Sequence, residues 1–231
     1  MVYQRPTTDI IDGIVDDITF PVEILSSAIS GSTQVLTCDD IGHAQVGYEI
    51  ELSEGDFTIS AISFDNNTIT VTGASPVIAA QTFDLYPPIF FHGMEQETGN
   101  TLKNFEDFKE KTPMIWMREN FKEKVMPFGS RIDRISSIEL FALTSADYEE
   151  VVTDRYTNYV LPMMRLLEKF VTYMRSRTDL IDIEDVEFET EIYTKFGVYA
   201  VNKGMASRLF LDNLAGQAMR IDIGVVRKGQ C

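Results

Sequence analysis

Residues 136–176 read SSIELFALTSADYEEVVTDRYTNYVLPMMRLLEKFVTYMRS, and their pattern decides the fold. In the opening segment Ile138, Leu140 and Ala142 fall on one face of an extended chain and Glu139, Phe141 and Leu143 on the other, with Glu139 the lone charge. A strand that is apolar on both faces needs cover on both, which places it in the middle of a sheet. Thr144-Ser145-Ala146-Asp147 then predicts a helix start: a hydroxyl on Thr144 or Ser145 caps free N–H groups, and Asp147, Glu149 and Glu150 put negative charge at the positive end of the dipole. Tyr148, Val152, Tyr156, Tyr159, Met163, Leu166, Phe170 and Met174 recur at three- and four-residue steps, widened by Val151, Val160, Leu167 and Val171, which predicts one broad buried helical face. Pro162 has no N–H and its ring collides with the preceding turn, so a kink or two helices meeting at Leu161 are expected, the easier reading being a second helix over 162–175 that starts on the proline.

Upstream, TTDIIDGIVDDIT at 7–19 predicts a short helix capped by Thr7 or Thr8, with Ile10, Ile11, Ile14 and Val15 inward and Asp9, Asp12, Asp16 and Asp17 outward. Such a helix is too short to persist unless it docks. From 24 to 83 the period changes to two. TQVLT (33–37), VGYEIEL (46–52), FTISAISF (57–64) and TITVTG (68–73) read as short strands, with Val46, Tyr48, Ile50 and Leu52 sharing a face and turns at Glu54-Gly55-Asp56 and Asp65-Asn66-Asn67. The parity slips within FTISAISF, which predicts a bulge near Ser60-Ala61 and a small barrel or sandwich.

Beyond this module, Pro87-Pro88 and Ile89-Phe90-Phe91 open a second core. A helix or extended arm is expected at 101–111 on Leu102, Phe105 and Phe108, and TPMIWM (112–117) reads as another central strand carrying Trp116. After the long helix, Val186, Phe188, Thr190 and Ile192 alternate with Glu187, Glu189 and Glu191 as a half-exposed strand. Met219, Ile221, Ile223 and Val225 alternate with Arg220, Asp222 and Gly224 in the last one. The expected architecture is α+β: a mixed or antiparallel sheet packed by a long helix, formed by residues 1–23 and 84–231, with an inserted β module at 24–83.

The 231 residues are 44% hydrophobic and 24% charged, an ordinary globular composition. No apolar run approaches the roughly 18 residues of a membrane span, and the N-terminus lacks the basic-then-apolar layout of a signal peptide, so a cytosolic site of synthesis is expected. Cys38 and Cys231 are too few for a disulfide framework or a four-ligand zinc site. The formal charge of −16 is uneven: residues 1–102 hold 15 acidic side chains against Arg5 alone, and residues 103–231 hold 21 against 19. Such a field repels phosphate backbones and anionic lipid, which argues against specific nucleic-acid or membrane binding.

Catalytic signatures are missing from the sequence. There is no phosphate-binding glycine loop and no pair of histidines at metal spacing. His92, in FFHG, reads as a packed turn or edge residue; His43 and Cys38 make two ligands, not a site. Asp39-Asp40 and Asp65-Asn66-Asn67 lack the spacing of a calcium loop and are explained by turn chemistry. No catalytic, cofactor-binding or metal residue is therefore assigned. The turn-rich loops of 24–83 carry one alternative, a carbohydrate- or receptor-binding head, although its aromatics Tyr48, Phe57 and Phe64 fall at core parity.

The order of elements supplies a further expectation. An acidic N-terminal helix, YPPIFFHG (86–93), TPMIWM (112–117), the strand–helix unit IELFALTSADYEEVVTDRYTNYVLPMMRLLEKF (138–170) and the closing NLAGQAMRIDIGV (213–225) together resemble neck and tail-completion proteins of tailed bacteriophages, in particular the tail-terminator type. The resemblance covers 1–23 and 84–231; the 24–83 module is a departure from the compact members. It implies a non-enzymatic virion protein made in the host cytoplasm. It also implies a homo-oligomeric ring of six or twelve copies in the neck or head-tail connection, in contact with the portal or connector and other tail proteins, with DNA passing nearby and no cofactor. The free edge of the strand at 186–192, or of the last strand, is the expected seam between subunits.

Overall fold

The computed structural model describes residues 6–73, 76–77, 79–94, 112–118, 122–127, 132–147, 149, 151–181, 189–196, 198–201, 205–208 and 213–226. The expected helix or arm at 101–111, together with Tyr148, Val186, Phe188 and Cys231, lies outside the described residues.

In chain order the described elements are helix α1 (Thr7–Asp17), the strands β1 (Pro21–Ser30), β2 (Thr33–Cys38), β3 (Glu49–Leu52), β4 (Gly55–Ser63), β5 (Thr68–Thr72), β6 (Thr82–Asp84), β7 (Ile89–Gly93), β8 (Met114–Arg118), β9 (Lys122–Val125) and β10 (Ile132–Ser145), the joined helix α2 (residues 152–176), and the strands β11 (Leu180–Ile181), β12 (Glu189–Phe196), β13 (Val198–Val201), β14 (Met205–Arg208) and β15 (Leu214–Val226). They form a mixed α+β fold in which α2 packs against two sheets. The seven-stranded sheet runs β11-β15-β10-β8-β7, with β12 also beside β15 and β9 beside β10. Only β7 and β8 are parallel among its described pairs.

β10 is central because both of its faces are covered. Ile138, Leu140 and Ala142 join Met163, Leu166, Phe170 and Met174 of α2 in the main core. Phe141 and Leu143, pointing the other way, join Met114, Trp116, Phe196 and Leu214 in a second cluster. Trp116 stacks on Phe141 with centroids 4.7 Å apart, and its indole N–H donates to the Gly93 carbonyl at 3.2 Å. Each large apolar side chain buried in this way contributes about 1.5–3 kcal/mol, which is why the two-sided pattern fixes the strand's place. The last strand is likewise paired on both sides, with β10 along one edge and β11 and β12 along the other, so it has no free edge to serve as a seam.

The strand outlasts its expected end. Thr144 and Ser145 pair with Ala215 and Leu214, so neither caps a helix. Thr144 Oγ1 donates to Gln45 Oε1 at 2.7 Å, a partner 99 residues away that holds the hydroxyl in the interior. The helix begins at Val152, with extended Val151 as its N-cap, no side-chain cap, and Asp154 as the acid of its first turn.

Pro162 is accommodated without two separate helices. The chain passes from Val152–Arg155 through a π turn, Tyr156–Val160, into Leu161–Ser176, with the proline in the first turn of that last segment. The Leu161 N–H bonds the Tyr156 carbonyl five residues back, which widens the helix next to the site where a proline removes a donor and crowds the preceding turn. One extra residue per turn also rotates the helix before the π turn by about 100° relative to the helix after it. The buried face therefore runs through Val160, Met163, Leu166, Leu167, Phe170, Val171 and Met174, while Val151, Val152 and Tyr156, expected on the same stripe, face solvent.

The second sheet, order β3-β4-β5-β2-β1-β6, curls until it is nearly a closed barrel. Gln81, just before β6, clasps the turn after β3: its Oε1 accepts the Ser53 N–H at 3.1 Å and its Nε2 donates to both Glu54 oxygens at 2.9 and 2.8 Å. The register of β4 against β5 shifts between Ile59 and Ala61, where the parity slip placed a bulge, and a second irregularity stands between Ile24 and Ser26 of β1. β3 begins only at Glu49, and Val46 is exposed, because residues 45–48 form a turn and not the start of the strand. Among its strands the sheet takes in Pro21 to Asp84.

α1 presents Ile10, Ile11, Ile14 and Val15 to the core as its spacing predicts. Pro6 occupies the N-cap position, and Thr7 is buried within the first turn. Its hydroxyl is committed to tertiary contacts, with Glu123 Oε1 at 2.8 Å, Ser136 Oγ at 3.0 Å and Arg134 Nε at 3.2 Å. A single hydrophobic cluster then runs from α1 through the barrel to α2 and the face of the seven-stranded sheet.

Candidate functional site

Three polar arrangements stand out. The first is the Thr7 cluster. Glu123 Oε1 accepts from Thr7 Oγ1, from Ser136 Oγ at 3.0 Å and from Arg134 Nε at 3.1 Å. A carboxylate oxygen shared among three donors, one of them a guanidinium, is held in place and is a clasp between α1 and the sheet more than a free base.

The second is a row of alternating charge across one sheet face. The register sets Glu139 opposite Arg220 and Arg220 opposite Glu189. Glu139 accepts from Arg118 on one side and from Arg220 Nε, at 2.8 Å, on the other; Arg220 reaches Glu189 at 3.9 Å. Arg118 also lies 5.3 Å from the Phe141 ring centroid and 5.9 Å from that of Trp116, so the row lids the aromatic cluster. The hydrogen bond to Glu139 raises the Arg220 pKa, while burial and then the Glu191 hydrogen bond raise that of Tyr193. Beside the row lies a depression of about 380 Å³ lined by Glu139, Glu189, Thr190, Glu191, Ala218 and Arg220. Exposed ion pairs of this kind are worth little in energy, and their regular alternation sets strand register.

The third is the joint between barrel and helix. The turn that includes residues 41–48 leaves β2, drops into the core and returns as β3. It buries His43 and Gln45 together with Ile41, Ala44 and Tyr48. His43 Nε2 lies 2.8 Å from the Tyr86 carbonyl, and the ring meets Phe20 edge-on at 4.4 Å. Burial pushes the His43 pKa down to about 4 and the Tyr48 hydroxyl well above its ordinary value. Among the described residues, His43 Nδ1, Gln45 Nε2 and the Tyr48 hydroxyl are buried with no hydrogen-bond partner. Three such atoms in six residues of one turn are a concentration that native interiors avoid unless something else meets them.

The candidates from the sequence fall in different places. His92 is exposed on β7, its ring 6.0 Å from Phe90. Cys38 is buried, and its thiol pKa is pushed up to about 12 by burial and then by Asp39, so it is not poised as a thiolate. Among the described residues no group of three or more His, Cys, Asp or Glu side chains is arranged to hold a metal ion. Asp40 Oδ1 accepts the Gly42 N–H at 2.9 Å and Asn67 takes a left-handed φ of 48°, both local turn chemistry, whereas Asp39 Oδ1 accepts the N–H of Glu23, sixteen residues away on β1, at 2.9 Å. Tyr48 and Phe57 are buried and Phe64 packs on the core, so these three make no stacking platform. No helix among the described residues is long and apolar enough to cross a membrane.

Sequence reasoning treats His43 only as a companion of Cys38, passes over Gln45 and reads Thr144 as a helix cap, where its hydroxyl instead donates to Gln45. The signal in the sequence is faint: three hydrogen-bonding side chains, His43, Gln45 and Tyr48, in IGHAQVGY, a turn otherwise of small and apolar residues. No family model matches the chain, and no curated protein matches it.

Proposed function

We propose that the chain is a structural virion protein of a tailed bacteriophage, a subunit of a ring in the neck or head-tail connection that joins portal to tail or terminates the tail tube. In this reading the α+β base of residues 1–23 and 84–231 is tail-terminator-like and builds the ring, and the β module at 24–83 projects from it. The supporting observation is the strand–helix–strand unit of β10, α2 and β15. The resemblance rests on the order of elements and on this strand–helix unit: a two-sided central strand and a long helix that carries Pro162, followed by a closing antiparallel strand. The uneven charge is consistent with a channel setting, since an acidic surface does not retain passing DNA. The reading needs no catalysis and no cofactor; its partners are copies of itself, six or twelve to a ring, and the neighbouring connector and tail proteins.

The test is the mass of the purified chain in solution, measured by light scattering and native mass spectrometry, with negative-stain images taken alone and after mixing with tail-less particles. Rings of six or twelve, or a monomer that assembles only on the particle connector, are the expected result. A chain that stays monomeric, never decorates particles and is missing from purified virions overturns the proposal.

A further inference from the structure

Two outer strands of the seven-stranded sheet carry opposite charge. Among the described residues β12 pairs only with β15 and β9 only with β10, so each keeps an outer row of backbone N–H and C=O groups. Both strands are open on both faces: Glu189, Thr190, Glu191 and Ile192 are all exposed, and so are Lys122, Glu123, Lys124 and Val125.

Strand polarity decides how the two edges can meet. β9 is antiparallel to β10, β10 to β15 and β15 to β12, three reversals that leave β9 and β12 antiparallel to each other. A second copy placed farther along the same sheet therefore offers its β9 to β12 in the antiparallel sense. The side chains agree in face as well. Lys122 and Lys124 stand opposite Ser137 and Ile135, on the β10 face that carries Glu139, and Glu189 and Glu191 stand opposite Arg220 and Ala218 on that same face. One register, Glu189 opposite Lys124 and Glu191 opposite Lys122, makes both pairs at once; a shift of two residues in either direction keeps only one. In that register the row of Arg118, Glu139, Arg220 and Glu189 continues into Lys124 of the partner subunit with its signs still alternating. Self-pairing of either edge does the opposite, setting Glu against Glu or Lys against Lys.

We infer that β12 takes up β9 of a second copy of this chain, so that copies join head to tail through one continuous sheet. This deepens the ring reading by naming its seam, and it rests on the self-association that reading requires. The contact is heterologous, the kind that closes into a ring or runs on as a filament. Main-chain hydrogen bonds supply the attraction, and the charges select edge and register.

Two charge-reversed variants of the full chain test it by analytical ultracentrifugation, alone and with tail-less particles: Glu189→Lys/Glu191→Lys, basic at both edges, and Lys122→Glu/Lys124→Glu, acidic at both. All four side chains are exposed, so circular dichroism should show both variants folded. Each alone should associate at least tenfold more weakly than wild type. An equimolar mixture should recover wild-type assembly, because every seam of an alternating array again sets Glu against Lys. In wild type itself, carbodiimide coupling of mixed nitrogen-15 and unlabelled chains should join Lys124 to Glu189 between a labelled and an unlabelled copy. Undiminished association of either variant, a mixture no better than its parts, or assembled wild type without that cross-link overturns the inference and leaves the ring reading standing. A wild type that stays monomeric both alone and with particles overturns both.

Discussion

His43 ties stability to pH through a proton that the folded chain refuses. Its pKa is 6.5 when exposed and about 4 in the fold, because burial disfavours the imidazolium more than the Tyr86 hydrogen bond favours it. Between those two values the unfolded chain binds the proton and the native chain does not, so native stability falls as pH falls. The loss starts near 6.5, grows through the interval and is complete once pH passes below about 4, where both states are protonated. At 1.36 kcal/mol per pKa unit, the whole interval is worth about 3 kcal/mol. Replacement by glutamine removes the titration and keeps an N–H donor for the Tyr86 carbonyl. Urea unfolding, followed by the fluorescence of the single, buried Trp116, gives the stability of both proteins at a series of pH values. Carboxylates contribute to both curves, so the difference between them isolates His43. Wild type should lose about 2–3 kcal/mol more than His43→Gln on going from neutral pH to about 4. Parallel curves would refute the assignment of a buried, neutral His43.

Other substitutions test the packing. A Cβ on Gly216 would stand 2.0 Å from the Ala142 carbonyl oxygen and 3.1 Å from Leu143 Cα, so Gly216→Ala must push β15 away from β10 and should cost about 3 kcal/mol or more in urea unfolding. Trp116→Ala empties the centre of the aromatic cluster under Arg118 and should cost about 3–5 kcal/mol, read by circular dichroism since the fluorophore is gone. Thr144→Val strands Gln45 without a partner and should cost about 1–3 kcal/mol, and adding Gln45→Leu should recover part of that loss in a double-mutant cycle.

The features legible in the sequence are those that depend on neighbours along the chain. β10 declares its position because alternate residues from Ile138 to Leu143 are apolar on both sides, and the bulge at Ile59–Ala61 declares itself through a parity slip inside a single strand. The hidden ones depend on distant partners. Thr144 and Ser145 have the chemistry of a cap, but β15 and Gln45 claim them; Thr7 has it too, but Glu123, Arg134 and Ser136 claim its hydroxyl. Pro162 announces a disturbance of the helix, yet not its form, because a π turn and a kink both relieve the same missing donor. The joint around His43 is the least legible. Its meaning rests on a carbonyl 43 residues away that fixes which ring nitrogen is left unmet.

The continuous core that joins α1, the barrel and α2 bears on how the β module can be studied. Val22, Ile24, Leu36 and Phe83 of the barrel belong to the same packed cluster as Met163 and Phe170 of the helix, and Thr144 of the base is satisfied by Gln45 of the insertion. Excising residues 24–83 would thus open the packed cluster that α1 and α2 share with the barrel and orphan a buried hydroxyl, and the remainder should not keep its native form. Melting should likewise be a single event: a reporter on β4 and one on α2 are expected to lose signal at the same temperature. The role of the insertion is best approached by altering its surface, with its interior left whole.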